Sequence, residues 1–159
     1  FKGNEDYITP KEGTRIIYNG DFDFNKLCST IKSWYRSKKF IMAEKEYTIK
    51  DKPLGKVAEL AWQGERKQDT YTKFKVNIFM EINEMKKSGK LDNGNMLIRF
   101  VAYLELDYKK KFESKHGKFM QDIYNNYLIR KKLKDYEDKL GDELTEIYNN
   151  VKEQLELYS

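Results

Sequence analysis

Residues 71–108 decide the fold of this chain, and their sequence is YTKFKVNIFMEINEMKKSGKLDNGNMLIRFVAYLELDY. In the first part, even positions such as Phe74 and Val76 are mostly apolar and the odd positions are mostly polar. The same alternation resumes at Met96, with Phe100 on the apolar side. A period of two is typical of a strand with one buried face, and the Gly and Asn residues between the two runs favour a turn. The stretch therefore predicts an antiparallel hairpin with one apolar face.

Charges on the other face of this hairpin predict its register, because cross-strand neighbours should be compatible. One register forms three opposite-charge pairs, namely Glu81–Arg99, Lys75–Glu105 and Lys73–Asp107. These pairs make the outer face a scaffold. The alternative is an aromatic and basic RNA platform, which would use Tyr71, Lys73, Lys75, Arg99 and Tyr103.

A strand and a helix are predicted at the start of the chain. Residues 14–18 alternate like a short strand. Asp23 then precedes apolar residues at spacings of three and four, which predict a helix capped by that aspartate. The apolar residues are Phe24, Leu27, Cys28, Ile31, Trp34 and Tyr35.

A second hairpin is predicted from residues 41–50 and 57–64, which alternate on either side of a turn at Pro53 and Gly55. Opposing Ile49 with Ala58 places Lys45 beside Trp62. That neighbourhood is either a cation–π contact within the scaffold or part of a pocket.

Helical spacing dominates the chain after the central hairpin. A first apolar stripe, with Ser114 as a candidate cap, consists of Phe119, Met120, Ile123, Tyr124 and Tyr127. A second stripe has an eleven-residue period, which is close to that of a straight helix; it consists of Leu133, Tyr136, Leu140, Leu144, Ile147, Val151, Leu155 and Tyr158. Its phase continues across Gly141, which predicts either one long helix weakened there or two collinear segments.

The order of elements predicts an α+β two-layer domain of the form β-α-β-β-β-β-α. An antiparallel sheet of about five strands would be covered on one face by the N-terminal helix and the long C-terminal helices. We expect a loose lead-in over residues 1–13, the α+β domain over 14–134, and an acidic helix over 135–159, packed on the domain or at an oligomer interface. This order resembles a reduced helix-grip (START-like) arrangement that lacks two strands. The resemblance implies a fold with a cavity between the sheet and the last helix.

Composition limits the class of protein. The chain has 159 residues, of which 39% are hydrophobic and 36% charged, which excludes a disordered chain and allows one domain with a real core. No apolar run approaches the roughly 18 residues that span a bilayer, so no membrane partner is predicted. The single cysteine, Cys28, favours a reducing, cytoplasmic compartment. Because the chain begins at Phe1 rather than at a methionine, removal of a preceding segment stays an open alternative.

Catalytic motifs are missing from the sequence. The nine glycines form no phosphate-binding loop, and no serine lies in a nucleophile elbow. The only histidine, His116, lies in a polar junction. Carboxylates are abundant, so a two-carboxylate hydrolase stays an open alternative, but no pair is marked by an apolar setting that would raise its pKa. We therefore predict no catalytic residue, no metal site and no cofactor, which favours a non-enzymatic role.

Charge is distributed unevenly along the C-terminal half. Residues 109–134 carry nine Lys and Arg against two acidic residues, a net charge of +7, whereas residues 135–159 carry a net charge of −6. One interpretation is a basic surface for nucleic acid or acidic protein. The other is that the acidic helix packs nearby or that both blocks are simply solvated. The candidate binding residues are Lys109, Lys110, Lys111, Lys115, Lys118, Arg130, Lys131 and Lys132.

The sequence thus favours a non-enzymatic intracellular binding or assembly module with a basic surface for an anionic partner. The apolar stripe of the last helix would also suit a homo-oligomer interface. The alternative is a helix-grip-like small-ligand-binding protein or lyase-like enzyme. Its cavity would be lined by Trp62, Phe74, Phe100, Phe119 and Tyr127.

Overall fold

The structure is a computed structural model that describes residues 4–112 and 114–159, and within them it forms one antiparallel sheet and three α-helices. The strands are β1 (Glu5–Tyr7), β2 (Thr14–Phe22), β3 (Ile41–Lys52), β4 (Gly55–Lys67), β5 (Thr72–Ser88) and β6 (Leu91–Leu106). The helices are α1 (Phe24–Ser37), α2 (Lys115–Ile123) and α3 (Arg130–Glu156), and a π-helical turn, Tyr124–Leu128, follows α2. The predicted α+β class is confirmed. The described part has six strands because β1 forms within the segment expected to be a lead-in.

The sheet is open, with β3 at one edge followed by β4, β5 and β6. The far side of β6 is shared, because β1 pairs with its C-terminal part and β2 with the remainder. No helix among the described residues is long and apolar enough to cross a membrane.

The central hairpin formed by β5 and β6 is built as predicted, but the predicted register is wrong by two residues. Arg99 opposes Phe79 instead of Glu81, and its guanidinium lies 4.5 Å from the centre of the Phe79 ring. The turn contains only Gly89 and Lys90, and an irregularity between Asn83 and Lys86 offsets the strands. Side-chain charges could not reveal this irregularity. A shift of two residues preserves the faces, so the apolar row is buried as expected.

The second hairpin, β3 and β4, pairs Ile49 with Ala58 as predicted, but Lys45 does not lie beside Trp62. A β-bulge between Glu44 and Glu46 places Glu44 opposite Trp62, and the indole Nε1 donates to Glu44 Oε1 at 3.2 Å. The bulge adds one residue to β3, so Lys45 is left without a directly opposed residue on β4.

Helix α1 packs on the buried face of the sheet. Asp23 caps it by accepting a hydrogen bond from the Lys26 backbone N–H, and its predicted apolar stripe is buried. Burial raises the pKa of the Cys28 thiol to about 11, as for a cysteine that acts as a small core residue. The Tyr35 hydroxyl reaches the sheet and donates to the Val76 carbonyl oxygen at 2.9 Å.

Helix α3 is one unbroken helix that continues through Gly141. Most of its apolar stripe is buried. Tyr136 packs edge-on against Phe74, and Tyr148 packs in the same way against Phe100, with ring centres 5.8 and 5.6 Å apart. The stripe is therefore mostly covered by packing within the chain, and an oligomer interface on α3 stays a prediction.

Arg66 on β4 connects the sheet to both helices. Its guanidinium lies between the rings of Phe40 and Phe74, at 4.7 and 5.0 Å. It donates to both carboxylate oxygens of Glu143 on α3, at 2.6 and 2.8 Å, and to the backbone oxygen of Lys38 at the end of α1. Because the guanidinium pairs with both carboxylate oxygens, the contact fixes the orientation of Arg66 relative to Glu143 as well as their distance.

Two Gly→Ala substitutions should have opposite effects on the free energy of unfolding. An alanine Cβ at Gly64 would lie 2.4 Å from Cε1 of the buried Tyr35 ring, so we expect G64A to destabilise the protein by about 1 to 3 kcal/mol. At Gly141 the new Cβ would lie 3.6 Å from Ile8 Cγ2, an ordinary contact. There G141A should stabilise the protein by up to about 1 kcal/mol through helix propensity.

Urea unfolding followed by circular dichroism would measure both changes. Unaltered stability of G64A would contradict the close packing of Tyr35 on β4. A loss of stability in G141A would contradict a continuous α3.

Candidate functional site

The segment after β6 is held close to the end of the strand by hydrogen bonds between its backbone and the Asp107 side chain. The carboxylate of Asp107 accepts hydrogen bonds from the backbone N–H groups of Lys111 and Phe112, both at 2.8 Å. Ser114 caps α2 as predicted by accepting from the Gly117 N–H. Gly117 packs against Phe112, where a Cβ would come within 2.9 Å of backbone atoms.

A buried polar network joins α2 and the π-helical turn to the sheet. The Tyr71 hydroxyl donates to Asn125 Oδ1 at 2.7 Å and accepts from Gln121 Nε2 at 2.9 Å. Gln121 Nε2 also donates to Asn4 Oδ1. Gln121 and Asn125 are thus the buried residues of this segment, together with Gly117.

The structure divides the first apolar stripe. Ile123 and Tyr124 are half-buried, and the Tyr124 ring packs edge-on against Tyr71 with ring centres 5.1 Å apart, whereas the other members are exposed. The Phe119 and Tyr127 side chains are 62% and 80% exposed, and Met120 and Leu128 are exposed as well. Because Gln121 of α2 faces Tyr71, the Phe119 and Met120 side chains on the same helix face solvent. The π-helical turn adds a residue to the helical repeat and so rotates the positions that follow it.

An open cleft of about 630 Å³ lies between the π-helical turn and the first half of α3. It contains an exposed aromatic ring, two cations, two carboxyl groups and amide side chains. The lining residues are Asp122, Asn125, Asn126, Tyr127, Arg130, Leu133, Lys134 and Glu137.

Glu137 in this cleft forms a pair with Asp6 of β1, which is only 7% exposed. A hydrogen bond between the two carboxyl groups raises the pKa of Glu137 to about 7, with burial and the charge of Asp6 acting in the same direction. Asp6 Oδ2 is buried and has no hydrogen-bond partner among the described residues. The Glu137 carboxyl therefore stays protonated to a higher pH than an ordinary glutamate does. Periodicity and spacing carry no signal for this pair, because Asp6 and Glu137 lie near opposite ends of the chain.

The eight predicted basic residues are all exposed and lie on three segments. Lys109, Lys110 and Lys111 follow β6, Lys115 and Lys118 are on α2, and Arg130, Lys131 and Lys132 begin α3. Arg130 lines the cleft, and Lys134, which was not among the eight, joins it there. Lys118 Nζ contacts Asn4 Oδ1 at 3.4 Å.

Lys132 forms an ion pair instead, with its Nζ 3.1 Å from Asp69 Oδ2. Burial acts to raise the pKa of Asp69, but hydrogen bonds from the backbone N–H groups of Tyr71 and Thr72 and from Lys132 and Tyr136 outweigh it and hold the pKa below its usual value. Lys132 is thus bound to a carboxylate that stays ionised at neutral pH.

The cations of the outer sheet face also have partners. Lys73 and Lys75 lie 3.6 and 2.8 Å from the carboxylate of Glu65, whose pKa is held below its usual value by the hydrogen bond from Lys75. Tyr71 is buried in the polar network, and Tyr103 stacks on Tyr7 with ring centres 4.9 Å apart. This surface has the character of a scaffold.

The five residues of the alternative cavity are not brought together. Trp62, Phe74 and Phe100 are fully buried in the core. Phe119 and Tyr127 point to solvent, because the polar network determines which side of α2 faces the sheet.

His116 is exposed, and the part of the chain that the structure describes has no group of three or more His, Cys, Asp or Glu residues suited to a metal ion. No protein-family model matches the chain, and no curated protein has a significantly similar sequence.

The Asp6–Glu137 pair predicts a pH dependence of stability. The folded-state pKa of Glu137 lies above its ordinary value of 4.5. The protonated Glu137 carboxyl therefore stabilises the folded state. This contribution to the free energy of unfolding is fully present below about pH 4.5 and is lost as pH rises through about 7. In E137Q the amide can donate to Asp6 at every pH. We expect the melting temperature of the wild type to fall relative to that of E137Q as pH increases from about 5 to about 8.

Thermal melting at several pH values would measure this difference. E153Q makes the same substitution at an exposed position of α3 and should follow the wild type. Parallel pH profiles of the wild type and E137Q would contradict the raised pKa of Glu137.

Proposed function

We propose that this protein is a non-enzymatic, intracellular binding module. It binds single-stranded nucleic acid at the cleft between the π-helical turn and the first half of α3, called the α2–α3 cleft below. One observation carries the proposal. The largely exposed ring of Tyr127 lies in the same cleft as the guanidinium of Arg130.

The two side chains offer the two contacts that a single strand needs. An exposed aromatic face stacks on any base, and such stacking contributes about 1 to 3 kcal/mol per base. An arginine binds phosphate oxygens through its planar set of donors. Because stacking and phosphate contacts carry little sequence information, binding of this kind tolerates many sequences.

Exposed cations beside the cleft support the same partner. Lys131 and Lys134 lie on the turns of α3 that carry Arg130, and Lys115 lies on α2, which leads into the cleft. Together they supply the diffuse positive potential that attracts phosphate backbones. Phe119, exposed on α2, offers a second aromatic surface.

The carboxyl groups of the cleft modulate this attraction. Asp122 and Glu137 lie beside the cations, and the raised pKa of Glu137, about 7, keeps its carboxyl protonated at lower pH. Release of that proton adds negative charge to the cleft, so affinity for a polyanion should decrease as pH rises through about 7.

Fluorescence anisotropy with a labelled oligo-dT would test the proposal. We expect binding that weakens by an order of magnitude or more between about 50 and about 200 mM salt. R130E should weaken it about tenfold or more, because a phosphate contact becomes a repulsion. Y127A should lose about 1 to 3 kcal/mol, whereas Y127F should retain most of the affinity because it keeps the ring.

K90E is the matched control for R130E, since it makes a comparable change of charge at the exposed β5–β6 turn. Absence of salt-dependent binding would overturn the proposal. An acidic protein partner would be indicated if polyglutamate bound as tightly as oligo-dT and Y127A had no effect on either.

A further inference from the structure

Strand β3 forms an open edge of the sheet. Its twelve residues pair only with β4 among the described parts of the chain. Tyr47 and Ile49 on this strand are 50% and 40% exposed, although they face the same side as the core because they oppose Leu60 and Ala58. Exposed strand edges present unpaired backbone N–H and C=O groups to solvent.

The edge is only partly protected. Lysines and bulges normally keep an edge from pairing with another strand, and β3 has a bulge at residues 44–46. From Glu46 to Lys52 the pairing with β4 is regular. Neither Glu46 nor Lys50 forms an ion pair within the described residues.

We propose that a second copy of this chain pairs with β3 in antiparallel orientation, about a twofold axis at Thr48. In this register Glu46 opposes Lys50 of the second copy, and Tyr47 opposes Ile49 of the second copy. The twofold axis repeats each pair, so the seam has two opposite-charge pairs on the outer face and two aromatic–aliphatic pairs on the core face. Both kinds of cross-strand pair stabilise a sheet.

The register is selected by the sequence of β3. A shift of one residue would oppose core-facing with outward-facing side chains. A shift of two residues in one direction opposes Glu46 with Thr48, and in the other direction Tyr47 with Asp51. Only the pairing centred on Thr48 opposes Glu46 with Lys50 and also opposes Tyr47 with Ile49.

The pairing would also extend the hydrophobic core across the seam. Tyr47 already contacts Phe24 at the start of α1, with ring centres 6.4 Å apart. Tyr47 and Ile49 from both copies would form an apolar strip in line with the buried face, and the two sheets would become one. The partner is thus a second copy because the strand is complementary to itself.

Sedimentation equilibrium of the full chain would test the proposal, and a species of about twice 19.1 kDa is expected. E46K and K50E each oppose like charges at two places in the seam, so each should raise the dissociation constant about tenfold. The double variant E46K/K50E restores both opposite-charge pairs and should return the constant to within about threefold of the wild type.

K90E changes the same charge as K50E at the exposed turn and should leave the dissociation constant unchanged. Because Glu46 and Lys50 are exposed, the variants should keep the circular dichroism spectrum of the wild type. The proposal is overturned by a wild type that stays monomeric, by single variants that dimerise as well as the wild type, or by a double variant that does not recover.

Discussion

Burial of the apolar row on β5 and β6 is the constraint on which the rest of the structure depends. Phe74, Ile78 and Phe100 are fully buried, and a sheet with one apolar face is stable only when another layer covers it. Helices α1 and α3 supply that layer, each with an apolar stripe. These two helices leave the outer face of the sheet and the β3 edge uncovered.

Arg66 shows how the two layers are fixed relative to each other. A charge at an interface between layers loses hydration, and this loss is offset only when the charge is well paired. Glu143 and the Lys38 carbonyl pair with the guanidinium, and two aromatic rings enclose its faces. The contact thus aligns α3 and the end of α1 over β4, whereas apolar packing alone would allow the helices to slide.

The segment of α2 and the π-helical turn is attached to the sheet by polar side chains instead of an apolar stripe. This arrangement forms the candidate site. Gln121 of α2 and Asn125 of the π-helical turn connect this segment to the sheet by hydrogen bonds with the Tyr71 hydroxyl. Phe119 and Tyr127 are consequently exposed, whereas Tyr124 packs against Tyr71. The candidate cations could be predicted from sequence, because a charge run is visible there. The cleft could not, because it depends on the polar network and on the π-helical turn, which involve residues far apart in the chain.

The sequence by itself determined the strands of both hairpins, the Asp23 and Ser114 caps, and the helices α1 and α3, because periodicity and capping are properties of neighbouring residues. Only the tertiary structure decided the register of β5 and β6, the exposed side of α2 and the meeting of Asp6 with Glu137. These depend on a local irregularity of one strand and on contacts between residues far apart in the chain. Such contacts form where buried polar groups can pair with each other in the folded chain. The linear pattern of apolar residues does not specify these pairs.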